Sequence, residues 1–169
     1  TVTVFKSINA EDLFRGWNSP YDFKAEFLDS KGHVLANTDV QFIVDGQTYT
    51  VKTDDQGIGY LTNSHLSVGT HDITVVNPVT GEQRTAKVTI VKRLLENKDI
   101  TMDFVDGTYY TVRVIGDDGK PVGKDEFIDI YVNTIHYVSR TDANGYAKLK
   151  INLNPNTYKI TAEYKSYKV

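Results

Sequence analysis

A chain of 169 residues with 40% hydrophobic content has material for one large core or two small ones. Its formal net charge of −3, carried without any lysine- or arginine-rich block, argues against nucleic acid and anionic membrane surfaces as partners. The lack of cysteine excludes disulfides and thiolate metal sites, and no apolar run approaches the roughly 18 residues of a membrane-spanning helix, so any targeting signal or anchor is expected outside this segment.

From the first residues the hydrophobic period is close to two, which predicts strands and almost no helix. Val2 and Val4 share one face, and Ile8 to Phe14 continues as an edge segment up to the loop Arg15-Gly16-Trp17-Asn18-Ser19-Pro20. Tyr21, Phe23, Ala25 and Phe27 then alternate with Asp22, Lys24 and Glu26, as a strand with one face on a core does. After the turn Asp29-Ser30-Lys31-Gly32, the run Val40, Phe42, Val44 leads into Asp45-Gly46 and Thr48 to Thr53. Asp-Gly between alternating runs predicts a two-residue hairpin, because a type I′ turn needs positive φ at both central positions.

The stretch that follows, Thr53-Asp54-Asp55-Gln56-Gly57-Ile58-Gly59-Tyr60-Leu61, returns 88 residues later as Thr141-Asp142-Ala143-Asn144-Gly145-Tyr146-Ala147-Lys148-Leu149. The surrounding pattern returns with it. Tyr110 to Val114 repeats Phe23 to Phe27, Ile128, Ile130 and Val132 repeat Val40, Phe42 and Val44, and Asp103-Phe104 stands for Asp12-Leu13. Asn133-Thr134 replaces Asp45-Gly46, a weaker hairpin signal, and Thr157 to Ile160 is read as the strand matching Thr70 to Ile73. Seven or so strands per copy, with turns every eight to twelve residues, predict an all-β protein of two tandem immunoglobulin-like β-sandwiches.

Domain limits of 1-92 and 93-169 place the charged stretch Lys92-Arg93-Leu94-Leu95-Glu96-Asn97-Lys98 at the junction as a short, stiff connector. The run Val2 to Ser7 also matches Val88 to Arg93 position by position. Either this strand opens each domain, giving 1-82 and 83-169, or residues 1-7 complete a neighbouring copy by strand addition.

Candidate chemistry is sparse. His33, His65, His71 and His136 have no metal-ligand spacing, and His71 falls at an inward strand position, where a packed histidine is expected. Asp54, Asp55, Asp142 and Asn144 cluster oxygen donors as calcium loops do, but each loop is short, and Asx turns explain the same residues. Asn77-Pro78-Val79-Thr80-Gly81 reads as a turn between strands. A lysine–asparagine cross-link is disfavoured because Lys24, Lys159 and Lys165 face outward by parity and Lys6 has no inward glutamate to work with. Among the aromatics, Tyr49, Tyr137, Tyr158 and Tyr164 fall on core positions, whereas Trp17, beside Asn18 and Tyr21 in a loop, is the candidate for stacking on a sugar ring or capping the sandwich. No catalytic motif is visible, and the expectation is a non-enzyme without cofactor.

The run D-x-x-G-x-x-L-A-N-x-x-V-x-F-x-V-x-G-x-x-Y-x-x-x-T-D-x-x-G from Asp29 to Gly57, with T-D-A-N-G-Y-A-x-L-x-I-N-L-x-P-x-x-Y-x-I-T from Thr141 to Thr161, resembles the bacterial-type Ig-like repeats of large adhesin-like surface proteins of methanogenic archaea and bacteria. Where that family carries Pro-Gly-x-Tyr, copy one keeps Gly69 but has His71, and copy two keeps Pro155 and Tyr158 but has Asn156. The resemblance implies an extracellular, cell-surface stalk or adhesive segment with a cell-surface or glycan ligand and no catalytic residues. Two rivals are a filament subunit assembling through residues 1-7 and a carbohydrate-binding module of an extracellular enzyme.

Overall fold

The computed structural model describes residues 5–62 and 65–169, and the strand expected around Val2 and Val4 lies outside them. The chain divides into two units, Thr1–Ile90 and Val91–Val169. All regular structure among the described residues is β, and no helix there is long and apolar enough to cross a membrane.

The first unit contains β1 (Ile8–Ala10), β2 (Leu13–Gly16), β3 (Phe23–Phe27), β4 (Asp39–Val44), β5 (Gln47–Lys52), β6 (Ile58–Leu61), β7 (Gly69–Val76) and β8 (Gln83–Val91). They form a three-stranded sheet, β1-β3-β6, and a five-stranded sheet, β2-β8-β7-β4-β5. Strict alternation sends Phe23, Ala25 and Phe27 inward from one sheet and Val40, Phe42, Ile73, Val75 and Val88 inward from the other, so both sheets share one core. Phe42 stands edge-on to both Phe23 and Phe27, with ring centroids 5.8 and 6.0 Å apart. Each such fully buried side chain contributes about 1.5–3 kcal/mol. The predicted edge segment Ile8 to Phe14 is two strands in different sheets, and β8 closes the first unit rather than opening the second, pairing with β7 from Gly69↔Ile90 to Val76↔Gln83.

The second unit contains β9 (Leu94–Leu95), β10 (Tyr109–Val114), β11 (Phe127–Val132), β12 (Ile135–Arg140), β13 (Tyr146–Lys150), β14 (Ile160–Tyr164) and β15 (Tyr167–Lys168). Its sheets are β13-β10-β9 and β12-β11-β14-β15. Leu94, Val112, Val114 and Ala147 from the first meet Ile128, Ile130, Ala162 and Tyr164 from the second. Each unit is thus an immunoglobulin-like β-sandwich.

The repeat has a physical basis at the Asp–Gly turn. Asp54 Oδ1 accepts the N–H groups of Gln56 and Ile58, and Asp142 Oδ1 accepts those of Asn144 and Tyr146, all at 2.9–3.0 Å. Gly57 and Gly145 follow at φ +75° and +80°, where a Cβ would lie 2.9 and 3.0 Å from the carbonyl oxygens of Phe27 and Val114. Only glycine satisfies both demands. Both hairpins also form with two-residue loops: Val44 pairs with Gln47 and Val132 with Ile135. Asn133 reaches φ 52°, close to the 50° of Asp45, because Asn tolerates the left-handed region nearly as Asp does, so the weaker sequence signal costs no structure.

Two expectations need correction. The stretch Lys92 to Lys98 is not merely a connector: Arg93 and Leu94 are buried, and β9 adds to β10 at Arg113↔Leu95 and Val114↔Leu94. The last long strand of copy two begins at Ile160 rather than Thr157, and backbone pairing makes Ser7 and Arg93 the equivalent residues, since Leu28 N–H donates to Ser7 O as Ile115 N–H donates to Arg93 O. On that pairing Lys98-Asp99, not Asp103-Phe104, correspond to Asp12-Leu13.

Candidate functional site

The described loop with the most recognition chemistry follows β2. The backbone turns at Gly16, whose carbonyl accepts from Ser19 N–H, and Asn18 sits at φ 52°. Arg15 staples the loop: its Nη1 donates to the carbonyls of Ser19 at 3.3 Å and Tyr21 at 2.5 Å. Ser19 Oγ accepts the N–H of Tyr21. Trp17, held between, lies half-buried against the core.

These residues enclose a cleft of about 290 Å³ lined by Arg15, Trp17, Asn18, Ser19, Asp22, His65 and Leu66. That is near the lower limit for a small-ligand site. Arg15 Nε is buried without a hydrogen-bond partner, and desolvation lowers the guanidinium pKa, opposed by the charge of Asp22. An indole face, an arginine and a carboxylate in one concavity suit a polar, ring-bearing ligand such as a sugar.

Of the three ligand candidates read from sequence, Trp17 and Asn18 line the cleft and Tyr21 does not. Tyr21 is 50% exposed and serves the site through its carbonyl. Arg15, Asp22, His65 and Leu66 were not foreseen as lining residues; Arg15 opens the predicted loop and Asp22 lies two residues beyond it, but His65 and Leu66 come from a distant part of the chain.

In the acidic turns the side chains and one carbonyl bond to the protein itself. Asp54 and Asp142 each commit one carboxylate oxygen to two backbone N–H groups, Asp55 Oδ1 accepts from Asn37 Nδ2 at 2.9 Å, and the Asn144 carbonyl accepts from Arg113 Nε. Among the described residues no group of three or more His, Cys, Asp or Glu is arranged to hold a metal. Three histidines sit on single aspartates: His33 on Asp29, His71 on Asp45 and His136 on Asp129. His71, packed inside as expected, ties the β4–β5 hairpin tip to the chain before β7, with Nδ1 2.7 Å from Asp45 and Nε2 2.9 Å from Ser67 O. Asn77 turns β7 into β8, and its buried amide donates to the carbonyls of Ser7 and Leu28, with Lys24, Lys159 and Lys165 all exposed.

No family model matches this sequence, and no curated protein matches it. Solved structures do. One is a Ca²⁺-stabilized adhesin that helps an Antarctic bacterium reach out and bind ice, 15% identical over 96% of this chain and 45% of that one, with a TM-score of 0.35. A second is from a 1.5-MDa bacterial ice-binding adhesin, 17% identical over 95% of this chain and 59% of that one, at 0.29. A third comprises the fibronectin(III)-like modules of Clostridium thermocellum CbhA, 11% identical over 95% of this chain and 87% of that one, at 0.32. The chain spans about half the length of the two adhesin structures, and likenesses of this depth assign no function.

Proposed function

We propose that the chain is a non-catalytic segment of an extracellular, cell-surface adhesin, in which tandem sandwiches supply reach and exposed loops supply contact. The observation that carries this reading is the repetition of one module with its internal bonding intact. Thr53 Oγ1 accepts from Thr38 N–H and donates to Leu35 O, and Thr141 Oγ1 accepts from Glu126 N–H and donates to Gly123 O. Repeating a self-contained module extends a chain without new folding problems, which is what a stalk requires. The resemblance of the Asp29–Gly57 and Thr141–Thr161 runs to repeats of surface adhesins supports the same reading.

The test is protease shaving of intact source cells. Peptides of this chain should be released before lysis, and beads carrying the chain should adhere to partner cells or surfaces. Recovery only from the cytosolic fraction would overturn the proposal.

The Trp17 cleft favours a second reading, a carbohydrate-binding module. Trp17→Ala should then lower affinity for a glycan identified on an array by at least tenfold while leaving the fold intact; binding that survives the substitution would dismiss it.

A further inference from the structure

The cleft beside Trp17 has two walls of different origin. Residues from Arg15 to Asp22 form one, and His65 and Leu66, on the chain that leads into β7, form the other. Arg15 staples the first wall through the carbonyls of Ser19 and Tyr21. The second wall is anchored one residue further on, where the Ser67 carbonyl meets Nε2 of His71 at 2.9 Å. The other ring nitrogen, Nδ1, lies 2.7 Å from Oδ2 of Asp45 at the tip of the β4–β5 hairpin. Alternation along β7 turns this ring inward, and only 9% of the residue is exposed.

Both partners of the ring are acceptors: neither a peptide carbonyl nor an ionised carboxylate has a proton to give. A neutral imidazole carries one N–H and one lone pair, so it can serve only one of the two oxygens and turns a lone pair on the other. The observed geometry therefore belongs to the ring with a proton on each nitrogen. Asp45 is the charged group in contact with it. On its own sheet the flanking charges, Asp72 and Lys87, point to the opposite face and pair with each other at 3.9 Å, while β8 sets Val88 against the ring. The charged and titratable groups of the cleft are Arg15, Asp22 and His65. Loss of one ring proton to water forces a choice between the two oxygens. A hydrogen bond to a carboxylate is roughly twice as strong as one to a neutral carbonyl, so the remaining proton stays on Nδ1 and Ser67 loses its donor.

The second unit ties the same station without a charge. The pairs Val44↔Ile73 and Val132↔Ile160 put Tyr158 in the place of His71, Asn154 in that of Ser67 and Asn133 in that of Asp45. There Tyr158 Oη donates to the Asn154 carbonyl at 3.1 Å, and Asn133 Oδ1 accepts from Lys159 N–H at 2.9 Å. A hydroxyl makes that bond with the single proton it already has.

We propose that His71 is a proton-operated latch on the second wall of the Trp17 cleft. Doubly protonated, it holds Ser67 and, through the chain, Leu66 and His65; after losing one proton it releases that wall and keeps the hairpin tip. The cleft of the first unit is thus closed in acid and loosened as pH rises. This inference concerns the wall and not its occupant, so it stands whether or not a glycan binds there.

Two-bond ¹⁵N–¹H spectra of the labelled 169-residue chain, from about pH 5 to pH 9, read the protons on the His71 ring directly. Both nitrogens should carry protons at the acid end, and at the alkaline end Nε2 should be bare while Nδ1 keeps its proton. The amides of Leu66 and Ser67 should shift in step, and so should the emission of Trp17, the single tryptophan. Because the cleft contains a second histidine, His65, the emission is followed in a His65→Gln chain. Asp45→Asn installs the residue that stands at this station in the second unit. Its amide can donate to Nδ1, so the last proton should stay on Nε2 and the wall should keep its place at every pH, although the ring still changes charge. A bare Nδ1 at the alkaline end of the unmutated chain, Trp17 emission and Leu66 and Ser67 amides that do not move with pH, or movement that persists in Asp45→Asn would each overturn the proposal.

Discussion

The guanidinium of Arg93, fully buried, places Nη2 2.6 Å from Oδ1 of Asp117, whose other oxygen accepts from Lys165 at the same distance. A buried arginine is held in place by such a partner, and removing the partner takes away a close counter-charge. Asp117→Ala should therefore destabilise the second unit by about 3 kcal/mol. Urea unfolding followed by amide NMR checks this, while the fluorescence of Trp17, the single tryptophan, reports an unchanged first unit.

Acid should act on the same corner. Desolvation pushes the Asp117 pKa up, but hydrogen bonds from Lys165 and Arg93 and their charges outweigh it, and the net shift is downward. A carboxylate depressed on folding contributes stability above its unfolded pKa and loses it as pH falls through the folded value. The second unit should hold its stability down to the ordinary carboxylate range and lose it below, and Asp117→Asn should flatten that loss in a pH series of urea midpoints.

At the alkaline end the reporter is Tyr164. Burial raises its phenol to about 12, and the Glu126 carboxylate, 3.1 Å away, adds to the effect. A raised acid stabilises the fold below its unfolded pKa and ceases to do so as pH climbs through the folded value. Absorbance titration near 295 nm should show a late-ionising tyrosine that disappears in Tyr164→Phe, together with a shallower alkaline fall in the stability of the second unit.

The Asp–Gly turns give a matched pair. Gly57→Ala and Gly145→Ala combine positive φ with a Cβ about 3 Å from a backbone carbonyl, so each should cost its own unit about 2–3 kcal/mol. Gly81→Ala, at φ +76° with nothing within 4 Å, isolates the backbone term and should cost about 1 kcal/mol. Thermal and urea unfolding of the three variants decide it; equal losses would mean the carbonyl contacts are relieved by local movement.

Threonine makes the parallel case. Thr53→Val and Thr141→Val strip a buried hydroxyl from between an N–H donor and a carbonyl acceptor, at 2% and 3% exposure. Each should cost about 1–3 kcal/mol, with the same magnitude in both units, measured by urea unfolding.

Much of the architecture was legible because its causes are local. Asp45-Gly46 dictates a turn through its own φ angles, and Asp54 with Gly57 through bonds within five residues. Arg93 and β9 were not legible: a two-residue strand has no period, and an arginine reads as solvent-exposed until Asp117, 24 positions later, is brought beside it. The cleft divides the same way. Trp17 and Asn18 signal themselves as an aromatic and a turn residue in a loop, but His65 and Leu66 join them only through the fold.

Tandem copies of one sequence risk exchanging strands while they fold, because each can offer its neighbour nearly the right partner. Ser7 and Arg93 occupy the same station in the two units, yet Ser7 is an uncharged donor to the Glu82 carboxylate whereas Arg93 brings a buried positive charge to Asp117. A misassembled chain with β1 in the place of β9 would set a serine where a guanidinium belongs, leaving a void and an aspartate without its buried counter-charge. The divergence of that one position works as an address label, directing each first strand to its own sandwich.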